Sequence, residues 1–230
     1  MDLRERIESV RERIENAAKR AGRHDGEVKL VAVTKGVEPE RIIEAVSGGI
    51  YTFGENYAQE FRLKKEIIER SVGEDVEWHF IGRLQRNKIK YIVGEVEMIH
   101  SLDSITVARE IEKKASRLGI KAKALVEVDT GEEETKGGVG KEDVEDFLKE
   151  LRELPSLEVR GLMTMPPNLD EPERARPFFI TLRDLRDRLS VEYPDVRELS
   201  MGMSGDFEVA VEEGATIVRV GTAIFGPRQK

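Results

Sequence analysis

Val28-Lys29-Leu30-Val31-Ala32-Val33-Thr34-Lys35, the stretch VKLVAVTK at residues 28–35, is a short β-branched run that stops at a hydroxyl and an ammonium. It reads as a strand over Val28–Val33 that delivers Lys35 at its C-terminal end. Upstream, Leu3, Ile7, Val10, Ile14 and Ala17 or Ala18 recur at three- and four-residue steps. That spacing predicts one apolar stripe on a charged helix of about 20 residues. Gly22 and the His24-Asp25-Gly26 turn end it.

Downstream, β-branched runs return at Ile50–Phe53, Val76–Ile81, Glu97–His100, Lys121–Val128, Leu157–Met163, Glu198–Met201 and Thr216–Val220. Helical stretches separate them at Pro39–Val46, Tyr57–Arg70, Arg86–Val93, Ser104–Leu118, Lys141–Leu151, Pro172–Leu189 and about Phe207–Glu213. Pro39 and Pro172 stand where a first helical turn tolerates proline, and Gly119 and Gly214 fall just past helix ends. Eight strands alternating with helices imply a parallel sheet, and eight is the number that closes a barrel. The expected fold is α/β: a single-domain (β/α)8 TIM-type barrel with an extra N-terminal helix, spanning 1–230 without a linker or low-complexity segment. An open doubly wound sheet is the alternative. It would usually carry a Gly-rich nucleotide turn after the first strand, where this chain has Thr34-Lys35 and no G-x-G-x-x-G.

Composition narrows the function. The 230 residues are 39% hydrophobic and 37% charged, with the charges mixed in sign and a net −8. That balance argues against a nucleic-acid binder, which needs a large basic face. No uncharged apolar run approaches a bilayer span, and the start MDLRERIESVRERIENAAKR is too charged for a signal peptide. Zero Cys removes disulfides and thiolate metal sites. His24, His79 and His100 are scattered without ligand spacing, so no metal site is expected. The chain reads as a cytoplasmic protein. Its scarce Asn and Gln and abundant Glu, Arg and Lys would suit work at high temperature.

The active face of a barrel lies at the C-terminal ends of its strands. Those ends read Lys35, Gly54-Glu55-Asn56, Gly82-Arg83, Asp129, Met165-Pro166, Ser200 to Ser204 and Arg219 to Thr222. At the end of an apolar strand, partial desolvation would favour Lys35 as a free amine, a nucleophile toward an aldehyde. The alternative is a lysine snorkelling out of the rim. The run Ser200-Met201-Gly202-Met203-Ser204-Gly205-Asp206 follows the seventh strand, and Val220-Gly221-Thr222 ends the eighth. Barrel phosphate sites are frequently built from these two loops, where small residues admit backbone N–H groups to the dianion. Ser204 and Thr222 would add hydroxyl donors, although small residues in a loop also occur without a ligand. Arg219 sits one residue inside the end of the last strand. Beside a pyridine nitrogen a guanidinium, which cannot give up its proton, would keep that nitrogen unprotonated. An internal ion pair closing the barrel is the competing reading.

The blocks VAVTK (31–35), FGENYAQE (53–60), WHFIGRLQRNK (78–88), HSLDS (100–104), GLMTM (161–165), LSMGMSGDFEVAVEEGAT (199–216) and VRVGTAIFG (218–226) cover nearly the whole chain. In them the sequence resembles the YggS/PROSC-type pyridoxal phosphate (PLP) homeostasis proteins, which share a barrel with the N-terminal domain of alanine racemase. The resemblance implies a PLP-binding protein of intracellular PLP homeostasis, with Lys35 as its Schiff-base lysine. It also implies that Ser204, Gly221 and Thr222 hold the phosphate, Arg219 meets the pyridine nitrogen, and Asn56 faces the pocket. His79 is better read as a satisfied core histidine. One departure falls on the fifth-strand segment, where relatives often carry Asn followed by Ser-Lys-Ser-Gly. Here Asp129 replaces the amide and Thr135-Lys136-Gly137-Gly138 follows, behind an acidic rim of Glu132, Glu133 and Glu134.

Three function classes compete: a PLP carrier without robust turnover, a PLP-dependent racemase-like enzyme, and a barrel aldolase. A two-base racemase needs a second acid/base, which alanine racemase takes from a separate domain; here Lys230 follows the barrel directly, and none of Tyr51, Tyr57, Tyr91 and Tyr193 is marked as catalytic. The aldolase reading leaves Arg219 and the GTAIFG ending unexplained. The carrier is therefore expected, not an enzyme, with PLP-dependent apo-enzymes as recipients and a monomeric state.

Overall fold

In the computed structural model, which describes residues 1–24, 26–73, 75–131, 137–167 and 169–227, VKLVAV is a central strand. This strand, β1 (Lys29–Val33), pairs in parallel with β2 (Thr52–Glu55) on one side and with the last strand, β9 (Ile217–Val220), on the other. The sheet continues through β3 (Glu77–Phe80) and β4 (Met98–Leu102) on one flank. On the other it runs through β8 (Glu198–Ser200), β7 (Leu157–Met163) and β5 (Ala122–Asp129). β4 pairs with β5, which closes eight parallel strands into a (β/α)8 barrel. A two-residue β6 (Val139–Gly140) adds to the end of β5 outside the ring.

The N-terminal stripe forms α1 (Leu3–Arg20), started by an Asp2/Glu5 capping box and burying Leu3, Ile7, Val10, Ile14, Ala17 and Ala18. It covers the barrel where the last two helices are short, packing on α7 (Phe207–Glu212) and α8 (Thr222–Phe225). Arg13 and Arg20 clamp α7 through Glu208, and Arg20 reaches Glu212. The other helices are α2 (Pro39–Ser47), α3 (Ala58–Val72), α4 (Ile105–Leu118), α5 (Val144–Leu151) and α6 (Arg176–Leu189).

Two expected helices change form. Arg86–Tyr91 is a 3-10 helix, in which the i to i+3 spacing of Ile89 and Ile92 keeps both buried. The expected Pro172–Leu189 helix is a 3-10 turn, Pro172–Ala175, followed by α6. Arg176 N–H closes the 3-10 bond to Glu173 O, and Pro177 has no N–H with which to replace it by an α-helical one.

Strand side chains alternate between two environments. Ala32, Phe53, Trp78, Phe80, Ile99 and Leu199 face outward into the large core beneath the helices. Val31, Met98, Leu125, Met163 and Ile217 form a separate small cluster inside the barrel. The interior also holds polar side chains: His79, His100, Ser200 and Arg219 are all buried.

Candidate functional site

At the C-terminal rim, β8 ends in Ser200 and the chain bends through Met201–Gly205 into α7. Gly202 has φ +90°, and a Cβ there would lie 2.5 Å from Ala210 Cβ and 2.9 Å from Phe207 Cα. The loop can fold this tightly on α7 only with glycine at that position. Asp206 accepts the Met203 N–H at 2.6 Å, and burial raises its carboxyl pKa above the usual range. Beside it, β9 turns at Gly221 into α8. Ser204 Oγ accepts the N–H groups of Gly221 at 3.1 Å and Ala223 at 3.3 Å. These two N–H groups point at one oxygen in a cleft of about 300 Å³ that Val33, Gly205, Arg219 and Thr222 also line. Converging backbone N–H groups with hydroxyls at hand suit a phosphate.

Arg219, 4% exposed, pairs in register with Val31 of β1. Its guanidinium donates to Ser200 Oγ at 2.5 Å and to Thr164 O at 3.0 Å, a neutral hydroxyl and a neutral carbonyl instead of the ion pair that was the competing reading. Burial pushes its pKa down to about 10, against the pull of Glu127 and Asp206. It therefore remains a cation at neutral pH, able to offer donors to a neutral ring nitrogen. Glu127 is raised above the usual carboxyl range by its own burial and by Asp103.

Lys35 follows β1 and is half-buried, with Nζ 4.9 Å from the centroid of the Tyr57 ring. It lines a neighbouring cleft with Asn56, Tyr57, Phe80, Arg83 and Lys88. The six residues singled out in the sequence thus fall in two groups. Ser204, Arg219, Gly221 and Thr222 share one cleft, and Lys35 and Asn56 share the next, with Val33 on the wall of the first. Asn56 Oδ1 is buried without a hydrogen-bond partner, an acceptor left over for something in the pocket.

Behind Lys35 lies a pair that the sequence reading missed. Glu55 is fully buried and accepts from Thr34 Oγ1 at 2.9 Å, Lys64 Nζ at 2.7 Å, Asn56 N at 2.6 Å and Tyr57 N at 3.2 Å. Lys64 also donates to Thr34 O at 2.7 Å and to Glu60 at 2.6 Å, and Glu60 accepts the Gly36 N–H at 3.1 Å. Both residues flanking Lys35 are therefore tied down. The signal was present: Ala58, Phe61, Lys64 and Ile68 form one helical stripe, so Lys64 stands where an apolar residue would.

His79 is a satisfied core histidine, buried and hydrogen-bonded at both ring nitrogens, one of them to His100. The histidines are not scattered in space; parallel pairing of β3 and β4 brings two of the three together. Among the described residues, no group of three or more His, Asp or Glu is gathered to hold a metal, and no helix is long and apolar enough to cross a membrane. Asp129 Oδ1 closes a local turn on Gly131 N at 2.9 Å. Lys136 and Glu132–Glu134 lie outside the described residues.

The model of the alanine racemase N-terminal domain matches residues 6–229. The pyridoxal phosphate homeostasis protein of Aquifex aeolicus (strain VF5) is 50% identical over 230 residues, covering 100% of both chains. The solved structure of PipY from Synechococcus elongatus PCC7942 with PLP bound is 33% identical, with a TM-score of 0.85 over 98% of this chain and 100% of that one. An alanine racemase from Clostridium difficile 630 is 17% identical, with a TM-score of 0.73 over 100% of this chain but 57% of its own, a likeness of fold alone.

Proposed function

The chain belongs to the alanine racemase N-terminal domain family, and from that premise we propose that it is a pyridoxal phosphate carrier of PLP homeostasis, holding the cofactor on Lys35. The observation that carries the proposal is the convergence of Ser204, Gly221, Thr222 and Arg219 in one cleft at the ends of β8 and β9, beside the strand that ends at Lys35. The residues fit the group. The N–H groups of Gly221 and Ala223, now on Ser204 Oγ, and the hydroxyls of Ser204 and Thr222 match a phosphate dianion. Arg219, charged and bonded only to neutral partners, matches a ring nitrogen that accepts. Asn56 Oδ1 has a lone pair to offer a donor.

When bound, the cofactor supplies an aldehyde that a free amine can attack reversibly with loss of water. Lys35 provides that amine, held in place by the Glu55–Lys64 pair that fixes Thr34. Placed at the ring nitrogen, Arg219 would leave it without a proton, and the ring would then be a weaker electron sink than with a carboxylate partner. This argues for holding over turnover, as do the names of the relatives, homeostasis proteins and not catalysts. We read the protein as one cytoplasmic domain over 1–230, monomeric, passing PLP to apo-enzymes.

The test is the visible absorption of the purified protein with added PLP, before and after borohydride reduction, in wild type and Lys35→Ala. A band that needs Lys35, with a reduced adduct mapped to that residue by mass spectrometry, is the expected result. No band in wild type would remove the proposal. Sustained turnover of amino acids, lost in Lys35→Ala, would replace the carrier with an enzyme.

A further inference from the structure

A continuous row of polar side chains crosses the barrel interior from its N-terminal rim to Arg219. Lys29 Nζ meets Glu77 Oε1 at 2.7 Å, and the same oxygen meets His79 Nε2 at 2.7 Å. His79 Nδ1 faces His100 Nε2 at 2.7 Å, and His100 Nδ1 faces Ser200 Oγ at 2.8 Å. Arg219 closes the row by donating to Ser200 Oγ at 2.5 Å. His79, His100 and Ser200 are all 0% exposed, whereas the far end opens to solvent at Lys29.

The two ends fix the direction of every proton between them. A guanidinium only donates, so Ser200 Oγ accepts from Arg219; with the Glu77 carboxylate accepting from His79 Nε2 at the other end, two neutral rings leave the Ser200 hydroxyl proton directed at His100 Nδ1. His100 then carries its proton on Nε2 and gives it to His79 Nδ1, which leaves His79 protonated on Nε2, facing Glu77. Glu77 is a carboxylate with its pKa held down to about 2, chiefly by the His79 hydrogen bond and then by Lys29. The groups around the row are Lys29 from β1, Glu77 from β3, Glu127 from β5 and Arg219 from β9, with Asp206 beyond the rim. A second proton on His100 would put a donor against a donor in a buried site.

We propose that Ser200, His100 and His79 are positioning residues for the cofactor ring: their one-way row holds the Arg219 guanidinium at a single angle and thereby sets how it meets the pyridine nitrogen. This rests on the reading that Arg219 faces that nitrogen. Ser200 gives its proton to His100 in this row, so its lone pairs face Arg219 in fixed directions instead of those of a rotating hydroxyl. With Thr164 O, it fixes two of the guanidinium's nitrogens.

Two measurements separate the row from the cofactor reading beneath it. The first uses ring-¹⁵N-histidine protein without PLP, with His79→Gln and His100→Gln for assignment and the exposed His24 as reference. Long-range ¹H–¹⁵N spectra at neutral pH are expected to show both buried rings as neutral Nε2–H tautomers. A doubly protonated His79, or an Nδ1–H tautomer in either ring, would overturn the row. The second is the visible band of the PLP-loaded protein as a function of pH. His100→Phe and Ser200→Ala are each expected to displace its maximum and move its pH midpoint by about one unit. His100→Gln can still accept from Ser200 and donate toward His79, and it restores both. Ser200→Ala changes little volume and serves where His100→Phe does not fold. Unchanged spectra in the variants would refute the positioning role while leaving PLP binding intact; no band in wild type would refute the cofactor reading, with the row still judged by its tautomers.

Discussion

Replacing Lys64 by methionine tests whether the buried pair behind Lys35 holds the rim together. The stem keeps roughly its volume, so the change isolates the ammonium. Lys64 places its three donors on Thr34 O, Glu55 and Glu60, all between 2.6 and 2.7 Å. Without them, Glu55 remains a fully buried carboxylate with only a hydroxyl and two backbone N–H groups, and Thr34 O loses its side-chain donor. Breaking one partner out of a buried pair costs about 3–5 kcal/mol. For a chain of this size that is a fall in Tm of roughly 6–20 °C, at about 2–4 °C per kcal/mol.

Glu55→Gln is a milder change, about 1–3 kcal/mol, because Lys64 keeps Glu60 and the carbonyl. The double variant should lie closer to Glu55→Gln than to Lys64→Met, a coupling of about 2 kcal/mol or more. Urea unfolding with an unchanged m-value measures all three. A loss below about 1 kcal/mol in Lys64→Met, or an additive double variant, would show that the pair contributes little and that Thr34 and Lys35 are placed by the strand alone.

Gly202→Ala should destabilise the fold by about 1–3 kcal/mol in a thermal melt, since the new methyl meets Ala210 and the backbone of Phe207 at a left-handed φ. Ser204→Ala removes a hydroxyl from the cradle on Gly221 and Ala223, so PLP affinity by fluorescence titration should drop about 10-fold. The same variant should leave pyridoxal, which has no phosphate, bound as in wild type. Acid should weaken the protein in two windows. Burial holds the His100 pKa well below 6.5, so the unfolded chain takes up a proton that the folded one refuses. Stability then falls by roughly 1.4 kcal/mol per pH unit below 6.5, a slope that His100→Gln should remove. The Glu77 pKa is depressed from 4.5 to about 2, so its contribution is complete above 4.5 and is lost as pH falls toward 2; urea titrations of Glu77→Gln against wild type across that range should converge.

The two halves of the site differ in how far they could be read from the chain, and the reason is geometric. The end proposed for the phosphate is local. Gly202, Ser204, Gly221 and Thr222 lie on two loops within 21 residues of one another, and glycine and hydroxyl residues at strand ends announce a tight turn with free N–H groups. β1 and α1 were legible for the same reason, since period and composition are properties of contiguous stretches. The four-residue α8 was not foreseen, because so short a helix leaves no periodic pattern.

The end proposed for the ring is made by register. His79, His100, Ser200 and Arg219 come from four strands, and only the pairing of Gly54 with His79, His79 with Met98, and Val31 with Arg219 turns them toward one another. A shift of one residue in any strand would send its polar side chain out among the helices. A usable signal was still present, namely polar residues on strands otherwise apolar: Glu77 and His79 at alternate positions of one, Glu198 and Ser200 of another, and Lys29 and Arg219 singly on two more. A barrel that fills its interior this way must satisfy such groups from one another, within and between strands, because they are buried. The interior row is therefore the physical condition on which a buried arginine can stand in this barrel, and its chain of partners ends at the open rim in Glu77, which the folded protein keeps ionised.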